Sequence, residues 1–138
     1  MVKIATEKID PQKSYRQLRK SSAGSVLLHF AVVKANGGSG QTSSAVDYCA
    51  QPGAEAELGR IITILHERWP LNDVFLQRRI GRLEVGEIIS LVGVCAEASA
   101  DSFAACQLGL ELLKKMKTID KREVFIDTGG SDAHISIA

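Results

Sequence analysis

The sequence contains no apolar run approaching the roughly 20 residues that a membrane-spanning helix requires. It also has little net charge: 17 basic against 16 acidic residues leave +1, so no overall field draws the chain toward nucleic acid or a membrane surface. Cysteine is scarce. Cys49, Cys95 and Cys106 are odd in number and none belongs to a Cys-x-x-Cys pair, which argues against a disulfide framework and against a structural zinc site. Free thiols buried in a reducing compartment are the expectation, with no metal. The phosphate-loop pattern GxxxxGK[ST] is missing too. Asn36 to Gly40 is rich in glycine but reads as a mobile loop joining two strands. No internal repeat and no low-complexity segment is found. Met1 to Ile4 run straight into charged residues, which does not read as a signal peptide, so a cytoplasmic location is expected.

What is present fits one domain. A chain of 138 residues is long enough to bury a real core. Val2 to Ile9 alternates loosely, as an edge strand does. Asp10-Pro11 then opens a helix, with Asp10 as cap and Pro11 at the first helical position. That helix is expected to carry Tyr15 and Leu18 inward and to end near Ser21. Ser25 to Val33 is almost wholly apolar and β-prone, which predicts a central strand containing His29, either a satisfied core residue or a ligand. Ala45 to Ala50 predicts another strand. Pro52-Gly53 starts a second helix over Ala54 to Arg68, with Leu58, Ile61, Ile62 and Leu65 as its buried stripe and Trp69-Pro70 as its stop. Asp73 to Ile80 reads as a strand, Gly81 as a turn, Leu83 to Gly86 as a short connection, and Glu87 to Ala96 as the most hydrophobic strand. The pattern predicts an α+β fold: strands pairing as hairpins, helices on one face of a mainly antiparallel sheet.

The third helix organises the rest. From Phe103 the apolar positions Phe103, Cys106, Leu110 and Leu113, and beside them Ala105, Gly109, Leu112 and Met116, recur at helical spacing as a broad buried face, while Gln107, Glu111, Lys114 and Lys115 share the other side. Asp101 or Ser99 is the expected cap. Lys121-Arg122 then open a strand through Val124, Phe125 and Ile126. Lys114 and Lys121 thus flank one helix-to-strand junction. Two readings are open: a solvated helix end, or a cationic pocket in which one desolvated lysine does chemistry on an anion.

Set motifs run in order along the chain: Ile9-Asp10-Pro11, Gly24, Val46-Asp47-Tyr48, Arg68-Trp69-Pro70-Leu71, Arg79-Ile80-Gly81-Arg82-Leu83 with Gly86-Glu87, Val92-Gly93-Val94, Ser102 to Cys106, and Leu113-Lys114 with Lys121-Arg122-Glu123. In that order and spacing, from about Ile4 to Phe125, the chain resembles the large, catalytic subunit of molybdopterin synthase. The resemblance implies an α/β hammerhead with an additional antiparallel β-sheet, forming a homodimer. It implies sulfur transfer from the thiocarboxylated Gly-Gly tail of a small ubiquitin-like sulfur carrier to cyclic pyranopterin monophosphate, giving molybdopterin, with no metal or organic cofactor. It implies catalytic roles for Lys114 and Lys121 and places Lys34, Arg122, Ala98, Ser99 and His29 at the substrate. An anionic phosphate and an anionic thiocarboxylate both call for a cationic pocket.

Five positions depart from the family pattern, and the family's terminal Gly-x-x-Trp feature is missing. Lys34 stands for an arginine, His29 for an aromatic, Ala98-Ser99 for a His-Arg pair, and Asp120 for an aromatic. Two readings therefore remain: a sulfur-transferring enzyme that uses Lys114 and Lys121, or a non-catalytic paralogue that docks a sulfur carrier or a sibling subunit. Lys34, Lys114 and Lys121 are expected to converge on one concave site, with Arg78 or Arg79 at its rim.

Overall fold

The computed structural model describes residues 1–35, 43–126 and 132–137. The expected loop at Asn36 to Gly40 lies outside them. The chain runs β1 (Val2–Ala5), α1 (Pro11–Leu18), β2 (Ser25–Val32), β3 (Ser43–Ala50), α2 (Ala54–Arg68), β4 (Leu71–Arg79), β5 (Gly81–Glu84), β6 (Ile88–Ala96), α3 (Ser99–Lys114), β7 (Ile119–Ile126) and β8 (Asp132–Ile137).

These strands form two four-stranded sheets rather than one, in the orders β1-β4-β6-β2 and β5-β3-β7-β8. The second is antiparallel throughout. In the first, only the β1–β4 pair is parallel. The architecture is α+β, a hammerhead with an additional antiparallel sheet. The expected chain of hairpins is not what forms. Among the described strands only β7 and β8 are neighbours both in sequence and in a sheet. The reason lies partly in β5, expected to be a connection. Gly81 takes φ +95°, a left-handed turn open to glycine, and sends Gly81–Glu84 across to pair with β3.

The helices cover both faces of the first sheet, not one. Alternation along β4 and β6 turns Val74, Leu76, Val92 and Val94 toward α2 and α3, where Leu58, Ile61, Leu65, Ala105, Cys106 and Leu113 complete the main core. Phe75, Leu91 and Cys95 turn the other way, onto Leu18 of α1. Full burial of Leu58 or Leu65 stabilises by roughly 1.5–3 kcal/mol each. A third cluster, with Val33, Ile80 and Ile89 against Val46, Tyr48, Leu83 and Ile119, joins the two sheets.

Helix α1 begins as expected. Asp10 Oδ1 accepts the backbone N–H groups of Gln12 at 3.0 Å and Lys13 at 3.3 Å, and Pro11 follows. Its inward pair is Ser14 and Leu18, and Tyr15 is exposed, because the helix stops at Leu18 and only one narrow stripe meets the sheet. Helix α3 departs further. Its cap is Ala98 with no side-chain bond, so neither Asp101 nor Ser99 caps it. Its buried stripe is Ser102, Ala105, Cys106, Gly109 and Leu113, and Phe103 is 63% exposed. Small residues fill that stripe because the helix lies close to the sheet. A Cβ on Gly109 would sit 3.2 Å from both Leu65 Cδ1 and Val92 Cγ1.

Strand β2, expected at the centre, is the edge of the first sheet; β6 is central. Within the apolar stretch Ile88 to Val94, residues 90–94 are buried within the chain and Ile88 and Ile89 are half-buried. Cys95 and Cys106 are buried as expected, but Cys49 is exposed, because its side of β3 faces away from the helices.

Candidate active site

A cleft of about 330 Å³ opens where the end of α3, the first sheet and the second sheet meet. Alternation explains its lining. Ala31, Ser90 and Arg78 are partners across β2, β6 and β4, so their side chains point to the α3 side of the sheet. Leu110, Leu113 and Lys114 descend on them from the last turns of α3. A bulge between Ala31 and Val32 leaves Ile89 out of register and turns it into the cleft. In the second sheet Tyr48 and Lys121 are direct partners and face the same way, toward Arg78 and Lys114.

Lys114 and Lys121 therefore line one cavity from two different elements. Lys114 is exposed at the mouth, and Lys121 is partly buried with its Nζ 3.5 Å from Glu123. Lys34 does not reach this cavity. It lines an adjoining hollow of about 130 Å³ together with Lys121, and Tyr48 and Ile89 form the wall between the two. Lys114 and Lys121 thus come together as expected, and Lys34 does not join them in one concave site.

The other expected residues separate. Arg122 alternates to the opposite side of β7, beside Asp47 and away from the cleft. Asp47 is itself held bidentately by Arg82, at 2.9 and 3.0 Å. His29 faces α3 like Ala31 but one side-chain step farther from the cleft; its Nδ1 is buried without a hydrogen-bond partner. Ala98 caps the start of α3 and Ser99 begins it, while Lys114 ends the helix, roughly 22 Å away at 1.5 Å per residue. Within one chain these two cannot touch what Lys114 touches. Among the described residues no three His, Cys, Asp or Glu side chains gather as metal ligands.

Arg78 is not at the rim but on the floor, 9% exposed, with its guanidinium carbon 5.2 Å from the Tyr48 ring centroid. Burial pulls the guanidinium down from its ordinary pKa, and burial pushes the Tyr48 hydroxyl up. Arg79, the other candidate, points to the far face and binds Glu87 at 3.0 Å. The floor position of Arg78 shows in sequence only as an arginine on the α3-facing phase of a strand otherwise apolar there.

The loop between the two lysines is pinned from outside. Glu57, in the first turn of α2, accepts the backbone N–H groups of Lys117 and Thr118 and the Thr118 hydroxyl. This contact crosses 61 residues of sequence, and no local pattern announces it.

Residues 4–116 match the model of the family described as MoaE protein. The chain belongs to the MoaE family. A molybdopterin synthase catalytic subunit from a Nostoc species is 33% identical to this MoaE-family chain over 119 residues, 85% of this chain and 70% of that protein. The crystal structure of molybdopterin synthase from Staphylococcus aureus shares the fold with a TM-score of 0.88 at 24% identity, covering 98% of this chain and 95% of that one. A protein–protein complex of subunits 1 and 2 of the molybdopterin-converting factor from Helicobacter pylori contains the same fold, with a TM-score of 0.70 at 14% identity over 88% of this chain and 83% of that one.

Proposed function

We propose that this chain is the large subunit of a molybdopterin synthase. It transfers sulfur from the thiocarboxylated C-terminus of a small ubiquitin-like carrier to cyclic pyranopterin monophosphate. The observation that carries the reading is the meeting of Lys114 and Lys121 in one cleft of a MoaE-family chain. The complex described for the Helicobacter pylori subunits supports a small partner protein.

The geometry suits the chemistry. Two ammonium groups at the mouth attract the thiocarboxylate anion and the phosphate-bearing substrate. Lys114 is assigned to the reacting atoms: its amine can hold the carrier's acyl group or give a proton to the departing oxygen. Lys121, steadied by Glu123, is assigned to binding. Lys34, in the adjoining hollow, is assigned to the path by which an extended tail would enter. Arg122 lies on the wrong face for a direct role. His29, Ala98 and Ser99 are equally outside the cleft of their own chain. A homodimer is part of the reading, and the free edge of the apolar strand β2 is a surface it could use.

The test is conversion of the pterin precursor by the purified chain with a thiocarboxylated carrier, followed by detection of the dithiolene product. Product formation that needs both proteins supports the assignment. A chain that binds the carrier but forms no product would instead be a docking module. Light scattering at micromolar concentration tests the dimer, and a strict monomer would defeat it.

A further inference from the structure

Among the described residues Arg78 is a buried cation without an anion. Its Nε has no hydrogen-bond partner, and no carboxylate of the described residues forms an ion pair with it. The next two arginines in sequence behave differently: Arg79 pairs with Glu87 and Arg82 with Asp47. A guanidinium stays protonated in proteins, so burying it unpaired is costly and calls for compensation. Tyr48 compensates in part, since a ring face attracts a cation, but it covers the plane of the guanidinium and takes none of its donors.

We propose that Arg78, held under Tyr48, is the anchoring site for the phosphate diester of the small-molecule substrate. The proposal rests on the sulfur-transfer reading for the identity of the ligand, but not for the existence of the site. Three observations carry it. The first is depth: Lys114 is exposed at the mouth, whereas Arg78 is buried at the floor. The atom that ends the carrier's tail is the reacting atom, so it belongs at Lys114, and the floor is left to the small molecule. The second is chemistry. A cyclic phosphate diester carries one negative charge on two free oxygens, which a planar guanidinium fork can hold with paired hydrogen bonds. The third is the wall. Leu110, Leu113, Met116, Ile119 and Ile89 are apolar and no carboxylate lines the cleft, whose volume of about 330 Å³ is in the range of small-ligand sites. A flat ring system against that wall would set its anionic end on the floor. Arg78 thereby supplies within the chain a donor set that Ala98 and Ser99 cannot.

Guanosine 3′,5′-cyclic monophosphate and guanosine make a matched pair of probes: the same fused ring, with and without a cyclic phosphodiester. Calorimetric or NMR titration should show the wild-type chain binding the cyclic nucleotide more tightly than the nucleoside. Arg78→Met should weaken the cyclic nucleotide roughly 10- to 100-fold and leave guanosine unchanged, as expected for loss of charge-assisted hydrogen bonds. Arg78→Lys, which keeps the charge but not the fork, should recover only part of the loss. Arg78→Met should melt no lower than wild type, because it removes an unpaired buried charge. If it fails to fold, Arg78→Lys carries the comparison. The proposal is overturned if the wild type shows no phosphate-dependent binding, if both probes lose affinity equally, or if Arg78 variants weaken a Gly-Gly-ended peptide while sparing the cyclic nucleotide. Turnover is not read here, so a chain without sulfur transfer would sink the proposed function and leave the anchor standing.

Discussion

Glu57 holds Thr118 twice, its Oε1 accepting the backbone N–H at 3.1 Å and the hydroxyl at 2.5 Å. The same carboxylate also takes the Lys117 N–H, at 3.1 Å to Oε2. Those two residues lie in the loop between Lys114 and Lys121, so a residue of α2 sets the spacing of the two lysines. Burial works to raise the Glu57 pKa, but the Thr118 hydroxyl and the two N–H groups outweigh it, and the carboxyl titrates below its ordinary value. A folded-state pKa below the unfolded one means stability that is present above the unfolded value of about 4.3 and lost as pH falls through the folded value. Glu57→Ala should cost about 1–2 kcal/mol in urea unfolding at pH 7. Glu57→Gln should lose less at pH 7 and show a flatter decline in stability below about pH 4.3 than wild type. An identical acid limb in both proteins would remove Glu57 from this role.

The lysines should divide their labour. Lys114→Ala should abolish turnover with melting temperature unchanged, since an exposed side chain is lost from the mouth of the cleft and no core contact goes with it. Lys121→Ala should chiefly raise KM for the phosphate-bearing substrate, roughly tenfold, with a smaller fall in kcat. Steady-state kinetics of both variants beside an active wild type decide it, and full turnover in Lys114→Ala would defeat the catalytic assignment.

The three cysteines should label in two classes. Burial pushes the Cys106 thiol up to about 11 and raises Cys95, with the charge of Asp73 adding to the latter. Both need a thiolate and an opening of the core to react. Cys49 is exposed. A thiol reagent at pH 8 should take one equivalent quickly and two more only after denaturation. Three fast equivalents would mean that the core opens in the native state.

Two glycines should respond oppositely to alanine. A Cβ on Gly24 would meet the backbone carbonyl oxygen of Glu97 at 2.5 Å, a distance that the main chain must widen. Gly24→Ala should therefore destabilise by about 1–3 kcal/mol. Gly59, inside α2, has nothing within 4 Å of the added carbon. Gly59→Ala should stabilise by about 0.5–1 kcal/mol through helix propensity. Thermal unfolding of the pair checks both signs.

Local signals determined much of this protein. Helix α2 is legible to the residue, because Gly53 before it and Trp69-Pro70 after it act on adjacent backbone alone. The same holds for the Asp10 cap, and the apolar strand β6 is legible to within one residue at its start. The family, and with it the pair Lys114 and Lys121, was legible as an ordered set of motifs. Pairing was not. Which strand lies beside which depends on contacts between distant segments, so β2 reads as a centre and proves an edge, and β5 reads as a connection and proves a strand of a second sheet. The buried face of α3 was legible at Ala105, Cys106, Gly109 and Leu113, but Phe103 reads as inward and proves exposed, while Ser102 is buried for its small size, which a search for apolar side chains cannot register. The floor of the cleft was decided by tertiary structure alone. Arg78 and Tyr48 are 30 residues apart and come from different sheets, and only the closing of those sheets around Ile80, Ile89 and Leu83 brings guanidinium and ring together.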